Sequence, residues 1–382
     1  MGGGSAGYLR SFPRITGYHS PMAKGRVLCA MSGGVDSSVA ALLLLRAGYD
    51  VVGVTADLFG DNSAAGPCCG RSGADSARRV CEVLGIEHHV TDMQDAFEEQ
   101  VIGRFITEYR AGRTPNPCAD CNRFIKFDAF FNLAYEHGCE YVATGHHARI
   151  VPVECPCSPP LLQCGHDPDK DQSYFLACIP RRRLAQILFP VGEMVKGDVR
   201  KLAAEAGLPA ASRPESQDIC FLPTGTGIRE LMLWHGDQEP KPGRIVDEQG
   251  NDYGEHPGIE HYTIGQRRGL KLGGGTEGLV VHRLDAETNT VVVAQHNAHP
   301  AATATLKDYN ALAPDIFSDG ATVMVRARYR QELWPARIEL GTEAPVITPA
   351  NDQFHLAAGQ WLVGYRDGAV LFGGIIDSVD WR

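Results

Sequence analysis

The strongest constraint on this chain is the stretch Ser32-Gly33-Gly34-Val35-Asp36-Ser37-Ser38, set between an apolar run, Arg26 to Met31, and a helix-like run, Val39 to Arg46. A strand, a glycine turn and a helix start in that order build a cradle for phosphate. The glycines let backbone N–H groups close on an anion, and the helix N-terminus adds its dipole. Ser37 or Ser38 is placed to cap the helix and to donate to a phosphate oxygen. The Gly-Lys-Ser/Thr ending of a Walker A loop is missing, and so is the third glycine of a dinucleotide fingerprint. A plain Gly/Ser turn is the competing reading, and the strand–loop–helix context disfavours it. The loop reads as a nucleotide site.

The first half of the chain repeats that rhythm. Strands are expected at Arg26–Met31, Asp50–Ala56, Ile86–Thr91 and Glu140–Thr144. Helices are expected at Val39–Arg46, Ala74–Leu84, Asp95–Tyr109 (with Asp95 as its cap), Phe124–His137, Arg181–Phe189 and Lys196–Ala206. Such β-α-β alternation predicts an α/β fold with a parallel sheet and ligands at the carboxyl ends of its strands. Ala30, Met31 and Thr55 then flank an adenine pocket. Gly145, just after the fourth strand, supplies a backbone contact to the nucleotide, with His146 and His147 left out of catalysis. Val151 to Pro168, rich in Pro and Cys, reads as a projecting hairpin. Beyond Arg213, short β-like runs at Gly243–Asp247 and Tyr262–Thr263 suggest a small central domain. Short strands at Thr322–Tyr329, Ala336–Leu340, Gln360–Tyr365 and Ala369–Ile376 suggest a terminal β-barrel. The expected division is a disordered leader over 1–21, with Met22 as a natural start, then domains over 22–212, 213–290 and 291–382.

At 43% hydrophobic and 21% charged residues the chain has the composition of an ordinary globular protein. No apolar run is long enough to span a bilayer, so no membrane is expected and a cytoplasmic location is. The net charge of −10 argues against general nucleic-acid affinity while leaving room for a local basic groove. Twelve cysteines are too sparse for a secreted disulfide scaffold, and they read as thiols available for structure, metal or sulfur chemistry.

Thr114-Pro115-Asn116-Pro117-Cys118-Ala119-Asp120-Cys121-Asn122 is the second constellation. Two prolines hold an extended loop there, and Cys118-x-x-Cys121 places two thiols where one metal or one disulfide could join them. A third thiol, Cys220, lies in Pro214-Glu215-Ser216-Gln217-Asp218-Ile219-Cys220-Phe221. Cys155, Cys157, Cys164 and His166 have zinc-knuckle-like spacing, but Cys-x-Cys is a weak signal and a plain hairpin is the favoured reading there. Cys68-Cys69 has no chemical account.

The phosphate loop resembles that of the ATP pyrophosphatases. With TPNPCADCN, DKDQSYFL (Asp169–Leu176), PESQDICF and TIGQRRGL (Thr263–Leu270) in one order, the chain resembles the MnmA family of tRNA-specific 2-thiouridylases from about Gly25 to its C-terminus. That resemblance implies a PP-loop pyrophosphatase domain, a small central domain and a C-terminal β-barrel. It implies that ATP, with Mg²⁺ held by Asp36, adenylates the C2 oxygen of the wobble uridine in tRNAs for Lys, Glu and Gln, and that sulfur then displaces AMP. The loop Ser32–Ser38 would stabilise the departing pyrophosphate. Cys220 matches the family's sulfur-carrying cysteine and Cys121 its partner. Position 118 departs from the best-known members, which have Asp there. Two routes stay open: a persulfide on Cys220 resolved by Cys121, or a 4Fe–4S cluster held by Cys118, Cys121 and Cys220. The third thiolate favours the cluster, and zinc at the same thiols is a weaker alternative.

The partners implied are tRNA and a sulfur donor, either a cysteine desulfurase or a relay protein. For the oligomeric state a monomer is expected, with a dimer as the alternative. Asn116, Lys170, Asp171 and Gln172 are the expected contacts to the tRNA near its target uridine, although a charged turn would look similar. Arg267 and Arg268 in a glycine-rich turn, and Arg326 and Arg328 at period-two spacing, are the expected RNA-facing arginines. Arg181-Arg182-Arg183 is equally a solvated face. Two other classes compete: a relative that adenylates a small molecule, and a non-enzymatic ATP- and metal-binding redox sensor. The three thiols and the terminal barrel disfavour the first, and the intact loop with Asp36 disfavours the second.

Overall fold

The structure is a computed structural model describing residues 24–60, 71–153, 158–214, 219–222, 227–235, 240–270, 272, 277–341 and 344–382. Its first layer is a five-stranded parallel sheet. β1 (Arg26–Ala30), β2 (Asp50–Asp57) and β3 (Glu87–Asp92) lie side by side. β4 (Tyr141–Ala143) joins the other edge of β1, and β7 (Ile187–Leu188) follows it after the antiparallel hairpin of β5 (Ala148–Val151) and β6 (Leu161–Cys164). The sheet order is β3-β2-β1-β4-β7. Both faces are covered, so β1 is apolar throughout its centre. Leu28 points into one hydrophobic cluster, and Val27 and Cys29 point into another on the opposite face.

Helices α1 (Val35–Arg46), α2 (Arg71–Leu84) and α8 (Lys196–Glu205) bound the second of those clusters through residues such as Val39, Ala77 and Val199. On the first face, α3 (Gln94–Phe97) passes through a wide helical turn at Glu98–Gly103 into α4 (Arg104–Arg110). In the same way α5 (Pro117–Asp120) passes through a wide turn at Cys121–Ala129 into α6 (Phe130–Glu136). The first cluster also holds Tyr174 from α7 (Ser173–Leu176) and the barrel residues Trp361, Val363 and Tyr365. One core therefore serves the α/β layer and one side of the barrel.

After α9 (Ile228–Trp234), a four-stranded sheet forms in the order β10-β11-β8-β9 from β8 (Gly243–Asp247), β9 (Asp252–His256), β10 (Leu279–Asp285) and β11 (Thr290–Gln295). The remaining strands are β12 (Ala301–Ala311), β13 (Thr322–Arg326), β14 (Trp334–Glu339), β15 (Val346–Pro349), β16 (Trp361–Arg366) and β17 (Ala369–Trp381). They pair in the order β12-β15-β14-β13-β16-β17, and β17 returns to β12 to close a six-stranded barrel. The expected architecture of parallel-sheet domain, small central domain and terminal barrel is the one observed. Among the described residues no helix is long and apolar enough to cross a membrane.

Several local expectations change. α1 starts at Val35 rather than Val39, with Gly34 as N-cap and no side-chain cap, so Ser37 and Ser38 lie inside its first turn. Asp95 is also inside its helix, whose N-cap is Met93. Arg181–Phe189 is helical only in part: a 3-10 helix over Arg181–Gln186 leads straight into β7. Thr263 belongs to no strand. The hairpin does not project freely, because β6 pairs with β17 through Gln163 and Ala369, and the Cys164 N–H donates to Gly368 O at 2.9 Å. The largest change concerns the thiols. Cys118 and Cys121 sit on a helix, not on an extended loop, because Asn116 is the N-cap and Pro117 occupies the first turn.

Candidate active site

The loop after β1 is shaped by its glycines. Gly33 has φ +73°, and a Cβ there would lie 2.3 Å from Gly73 O. Its carbonyl accepts from Ser76 Oγ at 2.9 Å and from Arg213 Nη1 at 3.1 Å. Arg213 begins the segment that leads to Cys220, so one side chain ties that segment to the phosphate loop. Ser37 Oγ and Ser38 Oγ donate back to Gly34 O at 3.2 and 2.8 Å, and Ser32 Oγ lies 3.2 Å from Ser37 Oγ. The hydroxyls brace the loop, and the first N–H groups of α1 have no carbonyl within their own helix to bond.

Asp36 is in that first turn. Lys196 Nζ donates to both its oxygens, at 2.7 and 2.6 Å, and His147 Nε2 lies 3.2 Å from Oδ1. Burial works against the carboxylate charge, but hydrogen bonds from His147 and Lys196 and the Lys196 charge outweigh it, and the carboxyl stays below its usual range. Hard carboxylate oxygens of this kind suit Mg²⁺, which binds through one or two carboxylates together with phosphates. Gly145 packs so closely that a Cβ would sit 2.5 Å from Ser37 N and 2.6 Å from the carbonyl carbon of Asp36. It fixes the end of β4 against the start of α1.

Met31 and Thr55 are buried, and the Thr55 hydroxyl is already engaged, donating to Met31 O at 2.6 Å with His88 Nε2 at 2.8 Å. Ala30 is half-buried at the end of β1. Beside Gly145, His146 is fully desolvated, which keeps its ring neutral by pushing its pKa well down. Its Nδ1 lies 2.6 Å from Thr144 Oγ1 and its Nε2 3.5 Å from Lys126 Nζ, and its ring stacks on Phe127. Lys126 and Phe127 belong to the helix that carries Cys118 and Cys121. His146 therefore pins the thiol-bearing helix to the strand end that meets the phosphate loop.

Cys118 is exposed, Cys121 buried and Cys220 half-buried, and none is in a disulfide. Cys121 is part of the first hydrophobic cluster, and Cys220 packs against that cluster. Phe221 anchors the Cys220 segment edge-on to Phe97 and Phe105, at 5.9 and 5.3 Å. Among the described residues no three His, Cys, Asp or Glu side chains are arranged to hold a metal ion, and this covers the thiols at 118, 121 and 220 as well as Cys164 and His166. Cys68, Cys69, Cys155, Cys157 and Glu215 to Asp218 lie outside the described residues.

The residues expected at tRNA divide into two groups. Buried Asp171 and half-buried Arg326 meet each other in an ion pair at 2.8 Å. Asp171 also accepts from Gly165 N–H and from Ser173 N–H and Oγ, while Arg326 reaches Tyr365 OH. Gln172 Oε1 accepts from His147 N–H at 2.9 Å, and Arg328 donates to Ile264 O and His355 O. Asn116 caps its helix. Lys170 is half-buried, and Arg267 and Arg268 are exposed, Arg267 resting on His296. Arg181 pairs with Asp315 on the barrel.

Two residues of this site carried no signal in the sequence. Lys196 and Arg213 reach the loop from 160 and 180 positions away. His147 could have been found, because it follows a strand end beside Gly145.

Comparison with known proteins separates the relatives of this architecture. Residues 25–224 match a tRNA methyl transferase HUP domain, 235–295 the PRC-barrel domain of the same family, and 302–376 an aminomethyltransferase β-barrel domain. A tRNA-specific 2-thiouridylase of Methylorubrum extorquens is 43% identical, with 94% of this chain and 95% of that protein covered. The chain belongs to the MnmA family of tRNA-specific 2-thiouridylases. MnmA proteins of Acetivibrio thermocellus and Chloroflexus aurantiacus agree, at 40% and 42% identity, covering 93% and 92% of this chain and 100% and 98% of those proteins. The match to MnmA thus takes in the phosphate loop, the thiol helix, the central sheet and the barrel together.

Proposed function

We infer that the chain is an ATP-dependent tRNA 2-thiouridylase. The observation that carries this is the junction at Gly145–His146, which holds the phosphate loop and the Cys118–Cys121 helix against one strand end. Two half-reactions, adenylation and sulfur transfer, need those two parts on one substrate.

In the first half, ATP lies on Ser32–Ser38 with its adenine beside Ala30, Met31 and Thr55 and its phosphates at the N-terminus of α1. The uridine C2 oxygen, a poor leaving group, attacks the α-phosphorus. The bond to the pyrophosphate breaks, and the oxygen leaves later as part of AMP. Asp36 is the residue that would hold Mg²⁺, which when bound neutralises phosphate charge.

In the second half, the terminal sulfur of a Cys220 persulfide attacks C2 and AMP departs, leaving a C2–S–S–Cys220 bridge. The Cys121 thiolate then attacks Cys220 Sγ. The bridge breaks, its sulfur stays on C2 as the reduced thiocarbonyl, and a Cys121–Cys220 disulfide forms. A thiol reductant and a fresh sulfane donor restore the site. The packing of Cys220 against the core that holds Cys121 supports this route.

A second reading, in which Cys118, Cys121 and Cys220 bind a 4Fe–4S cluster, is favoured by the third thiol and finds no preformed ligand set among the described residues. Lys170, Arg267 and Arg268 are the tRNA-facing residues.

The Cys220→Ser protein should bind ATP normally and form no 2-thiouridine in tRNA, measured by nucleoside mass spectrometry. Normal thiolation in that variant would defeat the assignment. Iron and sulfide analysis of protein purified without oxygen separates the two routes: about four irons lost in each Cys→Ser variant supports the cluster, and iron-free active protein supports the persulfide.

A further inference from the structure

The phosphate loop contains a contradiction that the structure resolves with a residue outside it. Asp36 puts a carboxylate at the N-terminus of α1, where backbone amides otherwise attract an anion. An uncompensated negative charge there would repel phosphate. Lys196 cancels it, spanning both carboxylate oxygens, while only 12% of its side chain is exposed. The main chain of Lys196 is fixed independently, because its N–H donates to Asp167 Oδ2 at 2.9 Å. The backbone is therefore anchored, and the four-carbon side chain alone can redirect the ammonium. The other polar groups of the loop are engaged with one another: Ser32, Ser37 and Ser38 bond among themselves and to Gly34 O. Lys196 is thus a cation brought to the loop from outside it.

We propose that Lys196 is a pyrophosphate-binding residue: its ammonium turns from Asp36 to the β- and γ-phosphate oxygens of bound ATP and stays on the pyrophosphate after adenylation. In this structure it keeps Asp36 paired. With nucleotide present it brings a point charge to the leaving group, the role for which an ammonium on a flexible stem is suited. Asp36 is then released for a divalent cation, which cannot share both oxygens with an ammonium.

This inference rests on the adenylation reading only in requiring that the loop accept a nucleoside triphosphate. The test is calorimetric titration of the full chain with ATP, with inorganic pyrophosphate and with AMP, each in the presence of Mg²⁺ and with no tRNA or sulfur donor. Lys196→Met should bind ATP and pyrophosphate on the order of tenfold or more weakly, the loss of a hydrogen bond to a charged group, and bind AMP as before. Lys196→Arg should keep most of the pyrophosphate affinity. Lys196→Gln, which can still donate to Asp36, guards against a folding defect and should show the same selective loss. Pyrophosphate binding unchanged in both the Met and Gln variants would overturn the proposal, and so would an equal fall in AMP affinity. An unaltered chain that binds no ATP would instead sink the adenylation reading.

Discussion

Between the thiols at 118 and 121, Asp120 is 7% exposed, and its nearest cation is Arg104, at 3.7 Å. Among the described residues its Oδ1 has no hydrogen-bond partner. Burial pushes the carboxyl up to about 6, with Arg104 and Arg123 pulling in the opposite direction. The folded protein therefore holds this proton more tightly than the unfolded chain, whose aspartates titrate near 4. Stability from this group falls as pH rises from about 4 to about 6. Asp120→Asn removes the buried charge and should raise unfolding stability at pH 7 by roughly 1–3 kcal/mol, with no gain at pH 3.5. Urea unfolding at the two pH values checks this, and an equal effect at both would show that the charge is not the cause. Asp120 stood in plain view within TPNPCADCN, but its surroundings are tertiary, with Arg104 of α4 and Asp308 of β12 both acting on its charge. Neither appears in the local sequence.

At the scale of elements, the thiol helix shows what local chemistry can specify. Asn116 accepts from Ala119 N–H at 3.3 Å, and Pro117 has the fixed φ a first turn needs, a start signal present in the residues themselves. Reading the two prolines as an extended loop missed it. Asn116→Ala should cost about 0.5–2 kcal/mol of stability and speed alkylation of buried Cys121, while exposed Cys118 reacts at its former rate. Thiol-labelling mass spectrometry separates the two. The helix expected to run on to Phe189 stops at Gln186 for a tertiary reason. Ile187 and Leu188 pair with Val142 and Ala143, and that sheet edge decides their conformation.

Across the whole molecule, the barrel and the α/β layer are one folded body. Tyr174 OH donates to Ala327 O and Trp361 O, Asn310 Nδ2 to Ala177 O and Ile179 O, and Arg123 to Asp308. A further charged link is Asp171–Arg326. The two lie on elements that the sequence suggested for RNA contact, yet each holds the other out of water. Arg326→Met leaves Asp171 buried without its cation and should destabilise the protein by about 3–5 kcal/mol, whereas the Asp171→Asn/Arg326→Met pair should recover much of that loss. Thermal and denaturant unfolding measure both, and a double variant no better than the single one would mean that Arg326 acts by packing alone. Because Asp171 neighbours Gln172, which holds His147 beside Asp36, the same variants should also weaken ATP binding.

Much of the short-range chemistry was legible in the residues alone. Glycines and a helix start make the phosphate loop, alternating apolar runs make the parallel sheet and the barrel strands, and motif order identifies the family. Tertiary structure alone decided which distant charges meet. Lys196 reaches Asp36 across 160 positions, Arg326 reaches Asp171 across 155, and Arg213 reaches Gly33 across 180. A lone lysine or arginine looks the same in sequence whether it ends in solvent or in a site. Only the packing of the elements fixes which carboxylate or carbonyl stands within reach, and so whether that charge is solvated, structural or set to receive phosphate.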